Sequence, residues 1–454
     1  MKYLGLRKVI KLNYSRKDKL DKTITLPGSK YLANRLLILA ALSESRTRLN
    51  NMPHNEDIDT SIEGLSALGA RFVWQGDQLD CYGFKSAANG YQVEENLNIN
   101  SSHSGSFSRF VTPLLALFDN KIALSGSDKM NTRPMAELFR ALESLGVTIT
   151  SPNKSPASTL PVEVAGPIHG GVIEMQGSTS SQYISALLMI AGKLDQGLEI
   201  KLTTEPVSRP YLQMTLDLLK QFGVEVGADV KDDVEADVEV NNGLRYFKIP
   251  GNQKYLGINY DVESDPSSAS YFLAAAAISG GHICISNFHP ENSVQGEALF
   301  ATVLESMGCK IWQDEQGYHC QGPEILKAVT VDMGDMPDVA QTLAVVACFA
   351  EGSTLITNIA NLAFKESNRI EDTATEIRKT GIKVITSKDT LEITGGQPRA
   401  ATLDTHDDHR MAMSLGLLAL KVDNIQIRDQ QVVAKSFPTY WQYLEQLGYS
   451  LEQA

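Results

Sequence analysis

The 454-residue sequence is short of several things that would have pointed elsewhere. It has only five cysteines, Cys81, Cys284, Cys309, Cys320 and Cys348, and no C-x-x-C pair. Neither a zinc cage nor a disulfide framework follows from that spacing, and reduced, mostly buried thiols are expected. It lacks a continuous apolar run near its start, where segment 1–20 mixes Lys and Arg with single apolar residues and reads as neither a secretory signal nor a membrane span. A basic excess is also missing: 41 Lys and Arg stand against 54 Asp and Glu, a formal net charge of -13. That balance argues against nucleic acid or an anionic membrane as partner, since both require a net basic face, so any anion site must be local. The motifs G-x-x-x-x-G-K-[ST], H-E-x-x-H and G-x-S-x-G are absent, which removes nucleotide-triphosphate, zinc-hydrolase and serine-hydrolase readings. No metal-ligand spacing is seen, and neither metal nor cofactor is expected. The compartment expected is the cytoplasm.

What is present is an ordinary folded composition, 43% hydrophobic with 34 Gly and 17 Pro, long enough for two or three domains. One phrase recurs: a helical stretch ending in an apolar residue and Gly, followed by a strand-like run. It occurs at Leu68-Gly69, Leu145-Gly146, Phe222-Gly223, Met307-Gly308, Thr380-Gly381 (with a polar residue before the Gly) and Leu447-Gly448. Each Gly falls where a helix takes a left-handed residue before the chain turns.

Roughly 40 residues before each Gly lies a polar start followed by a small-residue, apolar helix. The starts are Ser29-Lys30, Gly105-Ser106, Ser180-Ser181-Gln182, Asp265-Pro266-Ser267, Pro337-Asp338 and His409-Arg410. Their helices are predicted over Leu36–Leu42, Phe110–Leu117, Ile184–Ala191, Tyr271–Ile278, Ala340–Phe349 and Met411–Leu420. Runs such as Val147–Thr150, Val162–Val164, Lys383–Thr386 and Leu391–Thr394 read as paired strands. The unit is therefore βαβαββ, six times over, an α/β fold of two similar lobes with three repeats each. Thr23–Leu26 is expected to pair with the second half. That places lobe 1 at 1–28 plus 263–454 and lobe 2 at 29–262, joined by two crossings that act as a hinge.

The helix starts carry the chemistry, because four free N–H groups and a positive dipole end favour anions there. Lys30, Arg35, Arg109 and Arg410 sit on or beside them, and Arg133, Lys365, Arg369 and Lys435 between repeats. A single Arg or Lys is by default a solvated surface charge. Attachment to a repeated structural position singles these out. Two polyanionic ligands held roughly 6 Å apart at an effective dielectric near 20 repel by about 3 kcal/mol per pair of unit charges, which a cation cluster would offset.

Taken in order, the motifs Leu26-Pro27-Gly28-Ser29-Lys30 with Asn34-Arg35, Arg133-Pro134, Ser180-Ser181-Gln182, Ser208-Arg209-Pro210-Tyr211, Ser267–Leu273, Pro337-Asp338, Lys365-Glu366 with Arg369, Asp408-His409-Arg410-Met411-Ala412-Met413 and Ala434-Lys435-Ser436-Phe437-Pro438 resemble the 5-enolpyruvylshikimate-3-phosphate synthases over essentially the whole chain. The resemblance implies a cytoplasmic, monomeric enolpyruvyl transferase of the shikimate pathway to chorismate and aromatic amino acids. Its substrates would be phosphoenolpyruvate and shikimate 3-phosphate. It also implies that phosphoenolpyruvate is held by Lys30, Gly105, Arg133, Arg369, Arg410 and Lys435. The acceptor would be held by Lys30, Tyr31, Arg35, Ser180, Ser181, Gln182, Ser208, Tyr211, Asp338, Asn361 and Lys365. The chemistry needs a proton for the methylene carbon, a base for the acceptor hydroxyl and support for a tetrahedral adduct. Glu366 is the candidate for the first, with Lys30 either its partner acid or the group that protonates the leaving phosphate, and Asp338 for the second. His406 and His409 are then structural.

Three positions depart from the family pattern. Tyr31 stands where Ser is usual, His103-Ser104-Gly105-Ser106-Phe107-Ser108-Arg109 replaces Asn-Ala-Gly-Thr-Ala-Met-Arg, and Asn368 replaces an acidic residue. Tyr31 and Phe107 read either as drift, with the Tyr31 phenol turned aside or its hydroxyl donating in place of the serine's, or as a changed or shrunken acceptor pocket; the second reading leaves a paralogue with another phosphorylated acceptor as an alternative, and a silent ligand-binding homologue is a further one. The cell-wall relative's loop Cys has no counterpart near Arg133.

Overall fold

The computed structural model describes residues 9–15, 19–85, 91–152, 156–227 and 244–453. The chain forms two compact units, Met1–Pro27 with Glu263–Ala454, and Gly28–Val262.

Within Gly28–Val262, two sheets have four strands and share one order. A first strand runs parallel to the second, which is antiparallel to the third, which is antiparallel to the fourth. These are Asn259–Asp261, Thr47–Asn50, Gln78–Tyr82 and Arg71–Gln75 in one, and Asn98–Asn100, Ile122–Ser125, Val162–Ala165 and Thr148–Thr150 in the other. The third sheet pairs Gly171–Met175, Leu198–Leu202 and Tyr246–Ile249, and Gly227 adds an isolated antiparallel bridge to Lys248.

The other unit repeats this order three times. Its first sheet has Asp21–Ile24 parallel to His282–Ile285, so the early strand does join the second half, two residues ahead of the expected span. Its last sheet is closed by Val9–Tyr14 between Ile425–Arg428 and Tyr449–Gln453. The predicted strands Lys383–Thr386 and Leu391–Thr394 pair antiparallel, residue for residue as read.

Each repeat has one inner and one outer helix. The inner helices of Gly28–Val262 are Lys30–Leu42, Gly105–Leu115 and Ser181–Ala191, which pack on one another. Those of the other unit are Pro266–Ser279, Ala340–Ala347 and His409–Gly416, with the middle one against both neighbours. Their all-round apolar sequence follows from this position: every residue of Lys30–Leu42 except Tyr31 is buried, as is every residue from Pro266 to Ile278. Each buried Leu or Ile contributes roughly 1.5–3 kcal/mol. Three inner helices stop short of the predicted ends, at Leu115, Ala347 and Gly416. The apolar run continues past them because the turns that follow are themselves buried, as at Ala116 and Cys348.

The outer helices are amphipathic and end at the repeated glycines. All six glycines have positive φ, between 77° and 105°. All five cysteines are free and buried. Among the described residues, no helix is long and apolar enough to cross a membrane, and no group of His, Cys, Asp and Glu could hold a metal ion.

Candidate functional site

In the unit containing Glu263–Ala454, the inner helix starts converge on Arg369, which begins the outer helix Arg369–Lys379. Its guanidinium is 1% exposed. Nε donates to Asp408 Oδ2 (2.7 Å) and Nη2 to Asp408 Oδ1 (3.2 Å). Nη1 donates to Asp338 Oδ1 (2.8 Å), and Nη2 also to Glu366 Oε2 (2.9 Å). One planar fork thus spans three carboxylates, a geometry that Arg supports and Lys does not. Burial works against its charge, but Asp408, Glu366 and Asp338 outweigh burial and hold its pKa above the ordinary arginine value.

Three further cations complete the cluster. Lys435 Nζ donates to Glu366 Oε1 at 2.7 Å, Lys365 Nζ lies 3.2 Å from Asp338 Oδ1, and Arg410 Nη2 lies 3.4 Å from Asp338 Oδ2. Arg410 also donates to the Tyr271 hydroxyl (3.1 Å), whose pKa burial pushes up to about 12. Asp408 is fully buried and caps His409–Gly416, accepting the Arg410 N–H at 2.9 Å, while Ser367 Oγ donates to it at 3.2 Å. Asp338, Lys365, Glu366, Arg369, Arg410 and Lys435 are therefore together. Asn361 lies on the preceding 3-10 turn, Ala360–Phe364, and its Oδ1 is buried without a hydrogen-bond partner among the described residues. His406 is held by Glu376 (2.8 Å), a structural contact. Asn368 keeps the capping role an acid would have, accepting from the Glu371 N–H.

In Gly28–Val262, Lys30 is buried and donates to Asp57 Oδ2 at 3.0 Å. Tyr31, the one unburied residue of its helix, lies against Tyr211 with ring centroids 5.0 Å apart, and Lys30 Nζ is 5.6 Å from its ring. Arg35 lies beneath both tyrosines. It donates to Thr215 Oγ1 (2.8 Å), Ser185 Oγ (3.3 Å) and the backbone oxygens of Tyr31 (3.0 Å) and Tyr211 (3.3 Å). Burial pushes its pKa down to about 10. Its charge is thus bonded to neutral oxygens, which favours an anion nearby.

Gly105 opens the helix Gly105–Leu115 against Arg133, and a Cβ there would collide with the Arg133 guanidinium. Arg109 Nη1 donates to Gln182 Oε1 (2.7 Å), and Gln182 Nε2 to Ser106 Oγ (3.0 Å). Ser180 caps Ser181–Ala191 through the Gln182 N–H, and Ser181 is buried in its first turn. Ser208 is buried at the start of Arg209–Gln221 with φ 54°. A serine held in the left-handed region is strained, and such strain is concentrated at ligand sites.

For Phe107 the packing favours drift over a narrowed pocket. Phe107 is 1% exposed, in the core, over Gly64, whose missing side chain makes the room. Of the two bulky departures, only Tyr31 remains outside the core. Sequence reasoning gave no role to Asp57, because an acid in a first helical turn reads as an ordinary dipole partner. Asp408 was quoted within a motif without a role, although an Asp directly before a helix start is a recognisable cap.

A family model described as EPSP synthase (3-phosphoshikimate 1-carboxyvinyltransferase) matches residues 15–444. Among curated relatives, a 3-phosphoshikimate 1-carboxyvinyltransferase of Sulfurovum sp. is 38% identical over 434 residues, covering 94% of this chain and 97% of its own. One from Aliivibrio fischeri is 36% identical, covering 95% and 98%. Among solved structures, an EPSP synthase from Acinetobacter baumannii superposes with a TM-score of 0.78 at 22% identity, over 98% of this chain and 100% of the other, a likeness of fold.

Proposed function

The chain belongs to the EPSP synthase family, and from that premise we propose that it transfers the carboxyvinyl group of phosphoenolpyruvate to the 5-hydroxyl of shikimate 3-phosphate, releasing phosphate, in the shikimate pathway. The observation that carries the reading is the Arg369 cluster, where four cations face three carboxylates. It combines anion binding with groups that accept and donate protons. In this reading Lys30, Gly105, Arg133, Arg369, Arg410 and Lys435 bind phosphoenolpyruvate. Tyr31, Arg35, Ser180, Ser181, Gln182, Ser208, Tyr211, Asn361 and Lys365 bind the acceptor together with Lys30 and Asp338. Hydroxyls and N–H groups at the Ser181–Ala191 helix start suit the acceptor's phosphate. The buried charge of Arg35 suits its carboxylate.

Asp338 takes the proton of the acceptor hydroxyl as its oxygen bonds to C2 of phosphoenolpyruvate, while Glu366 gives a proton to the methylene carbon. The tetrahedral adduct then loses a methyl proton back to Glu366 as the C–O bond to phosphate breaks, with Lys30 protonating the leaving group. Asp57, which accepts from Lys30 Nζ at 3.0 Å, holds that side chain in place. Five buried, unbridged thiols support a reducing compartment, the cytoplasm.

The acceptor is tested by comparing kcat/KM for shikimate 3-phosphate, unphosphorylated shikimate and a nucleotide sugar. Shikimate 3-phosphate is expected to be preferred over either by more than about a hundredfold, because the site's phosphate-binding groups are otherwise left unpaired. A Tyr31→Ser variant that shifts this preference to a different acceptor would show that Tyr31 had changed the pocket.

A further inference from the structure

Outside the cation cluster, one sheet of the unit containing Glu263–Ala454 carries two histidines in contact. Its strands lie in the order Lys310–Asp314, Gly317–Gln321, His282–Ile285 and Asp21–Ile24, so Asp21–Ile24 is at an edge. Side chains alternate along a strand, and the register puts Asp21, His282, His319, Trp312 and Asp314 on one face. Four of them form a continuous row across the sheet. His282 Nδ1 lies 2.8 Å from Asp21 Oδ1, His282 Nε2 lies 3.0 Å from His319 Nδ1, and His319 Nε2 lies 2.9 Å from Asp314 Oδ1. The imidazole planes differ by 7° with centroids 5.2 Å apart, side by side as an in-plane N–H···N bond requires. The Trp312 indole lies parallel to both rings, within 8° of His282 and 6° of His319.

Counting donors fixes the number of protons in this row. An ionised carboxylate only accepts, so His282 Nδ1 and His319 Nε2 must each carry a hydrogen. A neutral imidazole has one N–H. With both rings neutral, the two remaining nitrogens would face each other as lone pairs, and with both rings doubly protonated, as two N–H groups. Three bonds in a row therefore take three ring N–H groups, one more than two neutral imidazoles bring.

The surroundings suit that extra proton. A carboxylate stands at either end of the row, and the indole face attracts a cation. Lys310, with Nζ 5.1 Å from the Trp312 ring, opposes it as one cation against two carboxylates. Cys284, with Sγ 3.7 Å from His319 Nε2, is the other titratable group on this face, and burial raises its pKa, which keeps the thiol neutral. His319 is 3% exposed, so water does not readily replace a lost bond there.

We propose that His282 and His319 share one proton, and that this proton fastens the edge strand Asp21–Ile24 to its sheet as a pH-sensitive latch. The row ties the edge strand through the two middle strands to Asp314, at the end of the far one. When base removes the proton, two lone pairs 3.0 Å apart repel, and one bond of the row is given up. The fastened strand is the one from which the chain runs on to Gly28, Ser29 and Lys30.

Magnetic resonance of the full chain with isotope-labelled histidine tests this, the ring signals being assigned from backbone couplings. In a titration from about pH 5 to 9, the pair is expected to pass through a state with three ring N–H groups and a nitrogen–nitrogen coupling between His282 Nε2 and His319 Nδ1, which only a hydrogen bond transmits. The His282 and Ser286 amides bond Leu20 O at 2.6 Å and Ile24 O at 2.9 Å, and so report on the edge strand. Their hydrogen-exchange protection, corrected for intrinsic exchange, should fall roughly tenfold as the third ring proton is lost, at whatever pH that happens. In His282→Gln the protection of Ser286 should no longer follow the titration. Two ring N–H groups throughout, no coupling, a third proton that never leaves, protection indifferent to its loss, or a change that persists in His282→Gln overturns the latch.

Discussion

Replacing Glu366 with Gln keeps a side chain of the same size beside Arg369 and Lys435 and removes its exchangeable proton and its charge. Turnover should fall by about 10²–10⁴-fold, the usual contribution of a positioned acid, while KM for phosphoenolpyruvate changes little. Near-normal turnover would remove Glu366 from the mechanism. Gly105 makes a second prediction at this scale. An added Cβ meets the Arg133 guanidinium, so Gly105→Ala should raise KM for phosphoenolpyruvate roughly tenfold and leave KM for the acceptor nearly unchanged. Steady-state kinetics with each substrate varied in turn checks this. The cations, Asp338 and Glu366 were singled out in the sequence by type and place, but Asp57 and Asp408 were not. The pairing was not legible, because which carboxylate holds which cation depends on chain segments far apart. Arg369 meets Asp408 across 39 residues, and Lys435 meets Glu366 across 69. That neutral oxygens hold Arg35, one of them 180 residues away at Thr215, was hidden for the same reason.

At the scale of elements, the local grammar of the repeat carried far. Positive φ at Gly69, Gly146, Gly223, Gly308, Gly381 and Gly448, and caps at Ser180, Asp265 and Asp408, are decided within a few residues. Helix ends were less legible, since an apolar run does not distinguish the last turn of a buried helix from the buried turn after it. Phe107 stayed open between drift and a narrowed pocket because the room it fills is made by Gly64, on the outer helix Glu56–Ala67 of the preceding repeat. That packing yields a prediction. Gly64→Ala should cost about 1–3 kcal/mol by overpacking, and the cost should largely vanish in a Phe107→Ala background. Denaturant unfolding of the two single variants and the double variant measures the coupling. Equal costs in both backgrounds would contradict the contact.

For the molecule as a whole, the position where the chain returns from Gly28–Val262 carries an unusual acid. Glu263 lines a cavity of about 190 Å³ with Ser264, Asn287, Phe288, His289, Asn292 and Ser293. Burial pushes its pKa up to about 7 from 4.5, against the bond from Ser293 Oγ and with the help of Asp265. A folded pKa above the unfolded one means the folded state binds the extra proton. Stability therefore falls as pH rises from 4.5 to about 7 and is level above that. The size of the effect is up to about 3 kcal/mol for this one group. Glu263→Gln should accordingly raise the Tm at pH 8 and leave it nearly unchanged at pH 4, as read by calorimetric scans at both values. The two-lobed α/β repeat was legible because six imperfect copies of one unit repeat a single pattern. A half-buried acid at a crossing has no such pattern to reveal it.

The central claim, carboxyvinyl transfer to the 5-hydroxyl of shikimate 3-phosphate, is tested most directly by product analysis. Purified protein is incubated with phosphoenolpyruvate and shikimate 3-phosphate, and NMR follows the products. The account predicts a vinyl ether at O5 appearing in step with inorganic phosphate, one for one. Phosphate released without that ether, or both substrates bound and neither consumed, would contradict it.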